Sequence, residues 1–464
     1  MMSIRTRSGN PTIRIAGLAA PTVIGLLAAI GNPVLDTMMV ARFSATDLAA
    51  LAVGASIYIT ILVPFVSVMQ SLTPTFGQLF GAGKFDEMHD TFKQGLWLAL
   101  FIAIPASTIL SVPWILLSLA KPPPALVEIA TLYLRVLAFS LPATLCFFVY
   151  NTLNHAIARP KMVMLLQVSG LFLKIPLNLI FIFGYFGVPA FGGVGCAIAT
   201  LILTWCQVVA SMLILRHDPF YTFLRLFPAV FVGPRWRNLK ELFRLGLPMG
   251  MNSFIETTSF TFMALFIARI GIDTVAGHQI IANISSVLYM LPLATASATM
   301  AMVAQSIGAK RLDIARKMAF SGQRLAACIA LFVGFTVWLF SHHIIGLYTS
   351  DPEIVAVARG LILFVCSFQL FFALQITSAY ILRAYKVVLA PTVLYFLTFW
   401  CVGLGGGYIL AFNVLDLDLP LAITGAGGFW FGYAVSSLLQ SSSLMILKKY
   451  VQDRADRNTP SPPP

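Results

Sequence analysis

Roughly a dozen times along this sequence, a run of more than twenty mostly apolar residues gives way to a short polar connection. A helix needs about 20 such residues to cross a bilayer, and no soluble domain can bury that many runs. Composition agrees: of 464 residues 59% are apolar and 10% charged, with a mean hydropathy of +0.88. The runs lie near 14–41, 48–78, 93–119, 126–154, 162–187, 193–215, 241–269, 276–306, 317–347, 354–382, 388–411 and 422–447. The expected fold is an all-α polytopic membrane protein. The first run exceeds a signal h-region and lacks a small-residue cleavage site, so it is expected to be kept as a helix.

The net charge of +13 does not point to nucleic acid, because the cations fall in alternate connections. Arg5, Arg7 and Arg14 precede the first run, Lys84 and Lys93 follow the second, and Arg159 and Lys161 follow the fourth. The longest connection, 216–240, is rich in arginine and contains Arg235-Trp236-Arg237, a sequence suited to the membrane interface. Intervening connections carry little beyond Arg42, Lys121 and Arg269. This positive-inside asymmetry predicts two cytoplasmic termini and an even number of spans. Beyond about 450 the chain turns polar and ends in prolines, which predicts a disordered tail. The six cysteines have no metal-ligand spacing and are expected to be small core residues. No metal or other cofactor is expected.

The two halves repeat. At a constant offset of 227 residues Pro21 falls on Pro248, Ala41-Arg42 on Ala268-Arg269, and Gln78 to Asp86 on Gln305 to Asp313. Gly193-x-Gly195 is echoed at a larger offset by Gly425-x-Gly427. Six crossings per half keep both halves in one orientation, so the repeat is parallel: two six-helix lobes, 1–225 and 226–464, making twelve transmembrane helices. In transporters built this way the substrate site lies near the midplane between the halves.

Charge inside the apolar runs is scarce. Asp36 lies three residues after Pro33, which has no N–H to give the carbonyl one turn back. An acid at that depth costs roughly 2.5–17 kcal/mol unless neutralised, paired or hydrated. It reads as an ion site, with snorkelling from a helix end as the alternative. Lys174, in the fifth run, is its natural partner. The pair is either a switch, opened when Asp36 is protonated, or a permanent lock between two helices. Asn178 lies one turn beyond Lys174 on the same face. Glu256 in the seventh run does not align with Asp36, whose repeat partner is Met263. It could be a second proton site, a counter-charge for a cationic substrate, or an acid capped by Thr257 and Thr258. His278 reads as a polar helix entry, and Arg135 and Arg359 as snorkelling cations. The glycines of 403–407 lack the Lys-Ser/Thr of a phosphate-binding loop, so ion coupling rather than ATP is expected.

Several stretches together resemble the MATE family of multidrug and toxic compound extrusion transporters, in its bacterial NorM-type branch. They are Val34-Leu35-Asp36-Thr37-Met38-Met39-Val40, Ile175-Pro176-Leu177-Asn178, Gly192 to Thr200, Gly277-His278-Gln279 and Leu382-Arg383-Ala384. The resemblance runs from Pro21 to about Lys448. It implies two bundles around a central cleft, alternating access, and export of bulky, often cationic amphiphiles in exchange for protons or sodium. The family's amino-lobe ion site maps onto Asp36, Asn178 and Thr200. Two departures matter. Lys174 stands where many relatives have Asn, and Phe372 stands where sodium-associated relatives have an Asp to pair the helix-seven acid. A hard cation wants several oxygen ligands, and both changes favour protons over sodium.

The expected protein is therefore a proton-coupled multidrug antiporter rather than an enzyme. It would be a multi-pass, monomeric protein of the bacterial inner membrane, with the lipid bilayer and drug-like small molecules as its partners. Competing readings are a sodium-coupled antiporter, a lipid or lipid-linked oligosaccharide flippase of the same superfamily, and an uncoupled channel or scaffold.

Overall fold

The computed structural model describes residues 10–114, 117, 123–224, 233–416, 418 and 420–457, and these are almost all helical. Twelve long helices follow one another. They are α1 (Pro11–Ala41), α2 (Ala45–Gly81), α3 (Phe85–Ser111), α4 (Pro124–Ala156), α5 (Pro160–Phe183) and α6 (Gly193–His217). Then come α7 (Trp236–Ile267), α8 (Ile272–Gly308), α9 (Leu312–Leu339), α10 (Pro352–Ala384), α11 (Leu389–Ala411) and α12 (Gly425–Arg457). Ten are long and apolar enough to cross a membrane. The other two, α7 and α12, are as long, at 32 and 33 residues, but more polar.

Eight of the twelve helices outrun the apolar runs that announce them. The ten span-like ones have 23 to 37 residues, and at about 1.5 Å per residue the longest reaches roughly 55 Å, against a hydrocarbon core of about 30 Å. Their polar ends are helical too. So α3 starts at Phe85 rather than near 93, with Asp86 and Glu87 in its first turn, where acids favour the helix dipole. Prolines sit inside seven of these helices without ending them, including Pro21 and Pro33 in α1 and Pro176 in α5. In α1 the Thr37 hydroxyl donates back to the Pro33 carbonyl at 2.9 Å, a bond that helical threonines commonly make.

The repeat appears in the backbone itself. Both ends of α2 and α8, and the starts of α3 and α9, are 227 residues apart, and α4 and α10 correspond at an offset of 228. The turns closing α2 and α8 share their hydrogen bonds: Lys84 N to Leu79 O in one, Arg311 N to Ser306 O in the other. Both pass through a left-handed residue, Gly83 at φ 70° and Lys310 at φ 57°.

The chain divides into two compact units, Pro21–Gly250 and Met251–Pro464 with Met1–Ala20. The first has two apolar clusters, one around Phe76, Phe92 and Tyr150, the other around Tyr133, Leu134 and Leu141. At the edge of the first cluster a short helix, Pro219–Phe223, carries Tyr221, whose hydroxyl donates to Asn154 Oδ1. Burial pushes that phenol up, so it stays a donor. The start of α7 is fastened to α3 in the same unit: Arg235 pairs with Asp90 at 2.8 Å, and Gln94 bonds both Gly233 O and Arg235 N. The second unit packs around Phe429, Trp430 and Tyr433. Its α11 is π-helical from Phe396 to Gly406, the stretch that holds most of the glycine run.

Three expectations are corrected. The chain does not lose its helix at 450: α12 continues to Arg457, and Arg316 at the start of α9 pairs with its Asp453 and Asp456. Cysteines are not all core residues, since Cys206, Cys328 and Cys401 are exposed; the outer surface of such a bundle is itself apolar, so a small thiol fits there. His278 is no polar entry but a buried residue that accepts from Trp430 Nε1 at 3.2 Å. Residues 458–464, 225–232, Arg5, Arg7 and Lys121 lie outside the described residues.

Candidate functional site

The site is built where α1, α5 and α6 meet in the first unit. Backbone contacts set the approach of α5 and α6. A side chain on Gly195 would put its Cβ 2.3 Å from the Phe181 carbonyl, so only glycine lets the start of α6 lie against the end of α5. Ahead of it Gly192 turns the chain at φ 55°, and its N–H bonds Ile182 O at 3.3 Å. This entry puts Thr200 less than two turns into α6, facing α5.

Across that junction the Lys174 ammonium donates to Asp36 Oδ2 at 2.8 Å and to Thr200 Oγ1 at 2.8 Å. The Thr200 hydroxyl in turn donates to the Cys196 carbonyl at 2.8 Å. Asn178, one turn after Lys174, donates to the other carboxylate oxygen, Asp36 Oδ1, at 2.9 Å, and lies 3.6 Å from Met39 Sδ. Lys174 is 2% exposed, Asp36 7% and Asn178 not at all. The four residues read from the sequence thus form one hydrogen-bonded cluster. In it the ammonium stands among the oxygens that a bound cation would otherwise use. One polar atom is left over, the buried Asn178 Oδ1, which has no hydrogen-bond partner among the described residues.

Such a cluster can store a binary state. A buried ion pair is held by attraction that must outweigh desolvation of both charges. A proton on Asp36 removes the attraction while leaving the ammonium charged. Asn178 can serve either form, because an amide both donates and accepts.

Glu256 stands apart, on α7 in the second unit, and is half-buried. The capping reading loses one of its hydroxyls, since Thr258 donates to the Phe254 carbonyl at 2.7 Å. Glu256 lies within electrostatic reach of Arg383, Tyr289, Tyr395 and Tyr433. Arg383 read as a connection residue in the sequence. In the structure it closes the last turn of α10, 8% exposed, with its guanidinium 4.4 Å over the Tyr380 ring. Phe372 is buried against Tyr289, ring centroids 5.4 Å apart. Nothing in the sequence signals these tyrosines, which come from helices α8, α11 and α12. Arg135 and Arg359 are exposed, reaching the Ser111 carbonyl and His342 respectively.

The MatE family model matches residues 21–180 and 248–409. It matches once in each half, and the two matches begin at repeat-related prolines. A probable multidrug resistance protein NorM from Aromatoleum aromaticum is 37% identical over 423 residues, 91% of this chain and 90% of that protein. One of the same name from Pasteurella multocida is 32% identical, covering 95% of this chain and 94% of its own length. The crystal structure of the eukaryotic MATE transporter AtDTX14 superposes with a TM-score of 0.84 over 96% of this chain and 98% of that one, at 20% identity, a likeness of fold. With the repeat, the twelve long helices and these matches in hand, the chain belongs to the MatE family of membrane transporters, in its NorM-type branch.

Proposed function

We propose that the protein is a multidrug efflux antiporter of the bacterial inner membrane, exporting bulky amphiphilic, often cationic compounds in exchange for protons by alternating access. The names of its NorM relatives support the substrate class. The observation that carries the choice of ion is Lys174. Its ammonium lies 2.8 Å from both Asp36 Oδ2 and Thr200 Oγ1, so a sodium ion at Asp36 would meet a fixed positive charge in place of oxygen ligands.

In this reading Asp36 is the proton carrier and Lys174 its internal counter-ion. A proton arriving from the outer side binds a carboxylate oxygen of Asp36. The acid becomes neutral, its charge hold on Lys174 is lost, and the tie between α1 and α5 weakens to a neutral hydrogen bond. Proton release to the cytoplasm restores the pair. Thr200 keeps Lys174 within reach of Asp36 in both states. Asn178 donates to the carboxylate, and after its amide reorients, Oδ1 accepts from the protonated acid. Glu256 is an accessory acid that meets substrate cations or a second proton. Both termini are cytoplasmic, and a single chain is the working unit.

The test is Asp36→Asn in proteoliposomes, reading drug-dependent proton movement with an internal pH dye. The variant should keep its gel-filtration profile and lose proton movement. Undiminished coupled transport by that variant would end the mechanism.

A further inference from the structure

The sequence marks Arg235-Trp236-Arg237 as interfacial, and coupling makes no use of it. In the structure Trp236 stacks on the exposed side of α3: its ring lies 5.6 Å from Phe101, which lies 5.9 Å from Trp97. Trp236 is 71% exposed, and one turn beyond Phe101 on α3 the exposed Ile104 continues an apolar surface. This ladder of rings thus sits where an apolar face ends, the depth at which aromatic side chains line up with lipid headgroups.

Cations begin at that boundary. Arg237, Lys240 and Arg244 follow Trp236 at helical spacing and are all exposed, on one face of α7. Their neighbour Arg235 is already spent on Asp90. Among the described residues Glu241 pairs with Arg237 only at 3.8 Å, with the two side chains 91% and 72% exposed. A pair that open contributes little. Three positive charges therefore stand beside an aromatic ladder, on a helix start fastened to α3.

We infer that this face is a binding site for anionic phospholipid headgroups. The rings rest at the acyl boundary, and Arg237, Lys240 and Arg244 take the phosphates of one or two lipids. Because α7 carries Glu256 three turns after Arg244, bound lipid steadies the helix on which the accessory acid sits. The inference stands apart from proton coupling, since it concerns lipid binding and not flux.

Native mass spectrometry of the full chain in detergent tests it, with phosphatidylglycerol and phosphatidylcholine of matched acyl chains as probes. The parent should retain phosphatidylglycerol in preference to phosphatidylcholine. The triple variant Arg237→Gln, Lys240→Gln, Arg244→Gln should lose that preference, by about fivefold for each charge removed. A control, Lys449→Gln, Arg454→Gln, Arg457→Gln at the exposed end of α12, removes as much charge elsewhere and should keep most of it. Unchanged phosphatidylglycerol binding in the α7 variant would overturn the site. An equal loss in the control would also overturn it, by reducing the effect to net charge.

Discussion

At the scale of single residues, the molecule sets two of its few buried charges against each other. Asp36 and Lys174 are 138 positions apart in sequence and 2.8 Å apart in space. That they should pair is legible from the cost of leaving either alone in an apolar run. Thr200 as the second acceptor comes only through the family resemblance, and the leftover Asn178 Oδ1 only from coordinates. Removing one partner of a buried pair typically costs about 3–5 kcal/mol, because the survivor is left uncompensated. Lys174→Met should therefore lower the unfolding midpoint in detergent markedly. Adding Asp36→Asn to that variant should recover much of the loss. A Lys174→Met protein as stable as the parent would mean that the pair is hydrated rather than buried.

At the scale of elements, the repeat lets one half act as a control for the other. The turns after α2 and α8 have the same hydrogen bonds and the same left-handed residue, but glycine fills one and lysine the other. A side chain in that conformation costs roughly 1–2 kcal/mol. Part of the relief from substituting glycine is offset by the extra freedom of the unfolded chain. Lys310→Gly should thus stabilise the protein by about 0.5–1 kcal/mol, raising the midpoint by thermal fluorescence, while transport stays unchanged. A lowered midpoint would show that the Lys310 side chain contributes more than its backbone costs. Helix ends were the least legible feature of the sequence. Hydropathy reports the part of a helix that lipid can cover, whereas α3 and α12 extend through charged turns. The end of α12 meets an arginine on α9, a contact that no local pattern announces.

At the scale of the whole molecule, the two halves share helix boundaries but not chemistry. The first unit holds a closed acid–lysine pair; the second holds Glu256 within electrostatic reach of Arg383. If the first is the coupling site, the driving gradient is decided there. Drug efflux from proteoliposomes should follow an imposed pH gradient, and a sodium gradient at clamped pH should drive none. Sodium-driven efflux under that clamp would return the coupling role to the second unit or to a displaced Lys174.

The sequence by itself determined the all-helical membrane fold, the twelve long segments, the parallel repeat and the need of Asp36 for a partner. Each of these depends on sums over neighbouring residues, or on matches at a fixed offset, and a linear string carries both. Tertiary structure decided which donors reach which carboxylate oxygen, that Arg383 and three tyrosines come within electrostatic reach of Glu256, and how far α12 runs. Those outcomes depend on ångström-scale approaches between distant helices, such as the one that Gly195 permits against Phe181.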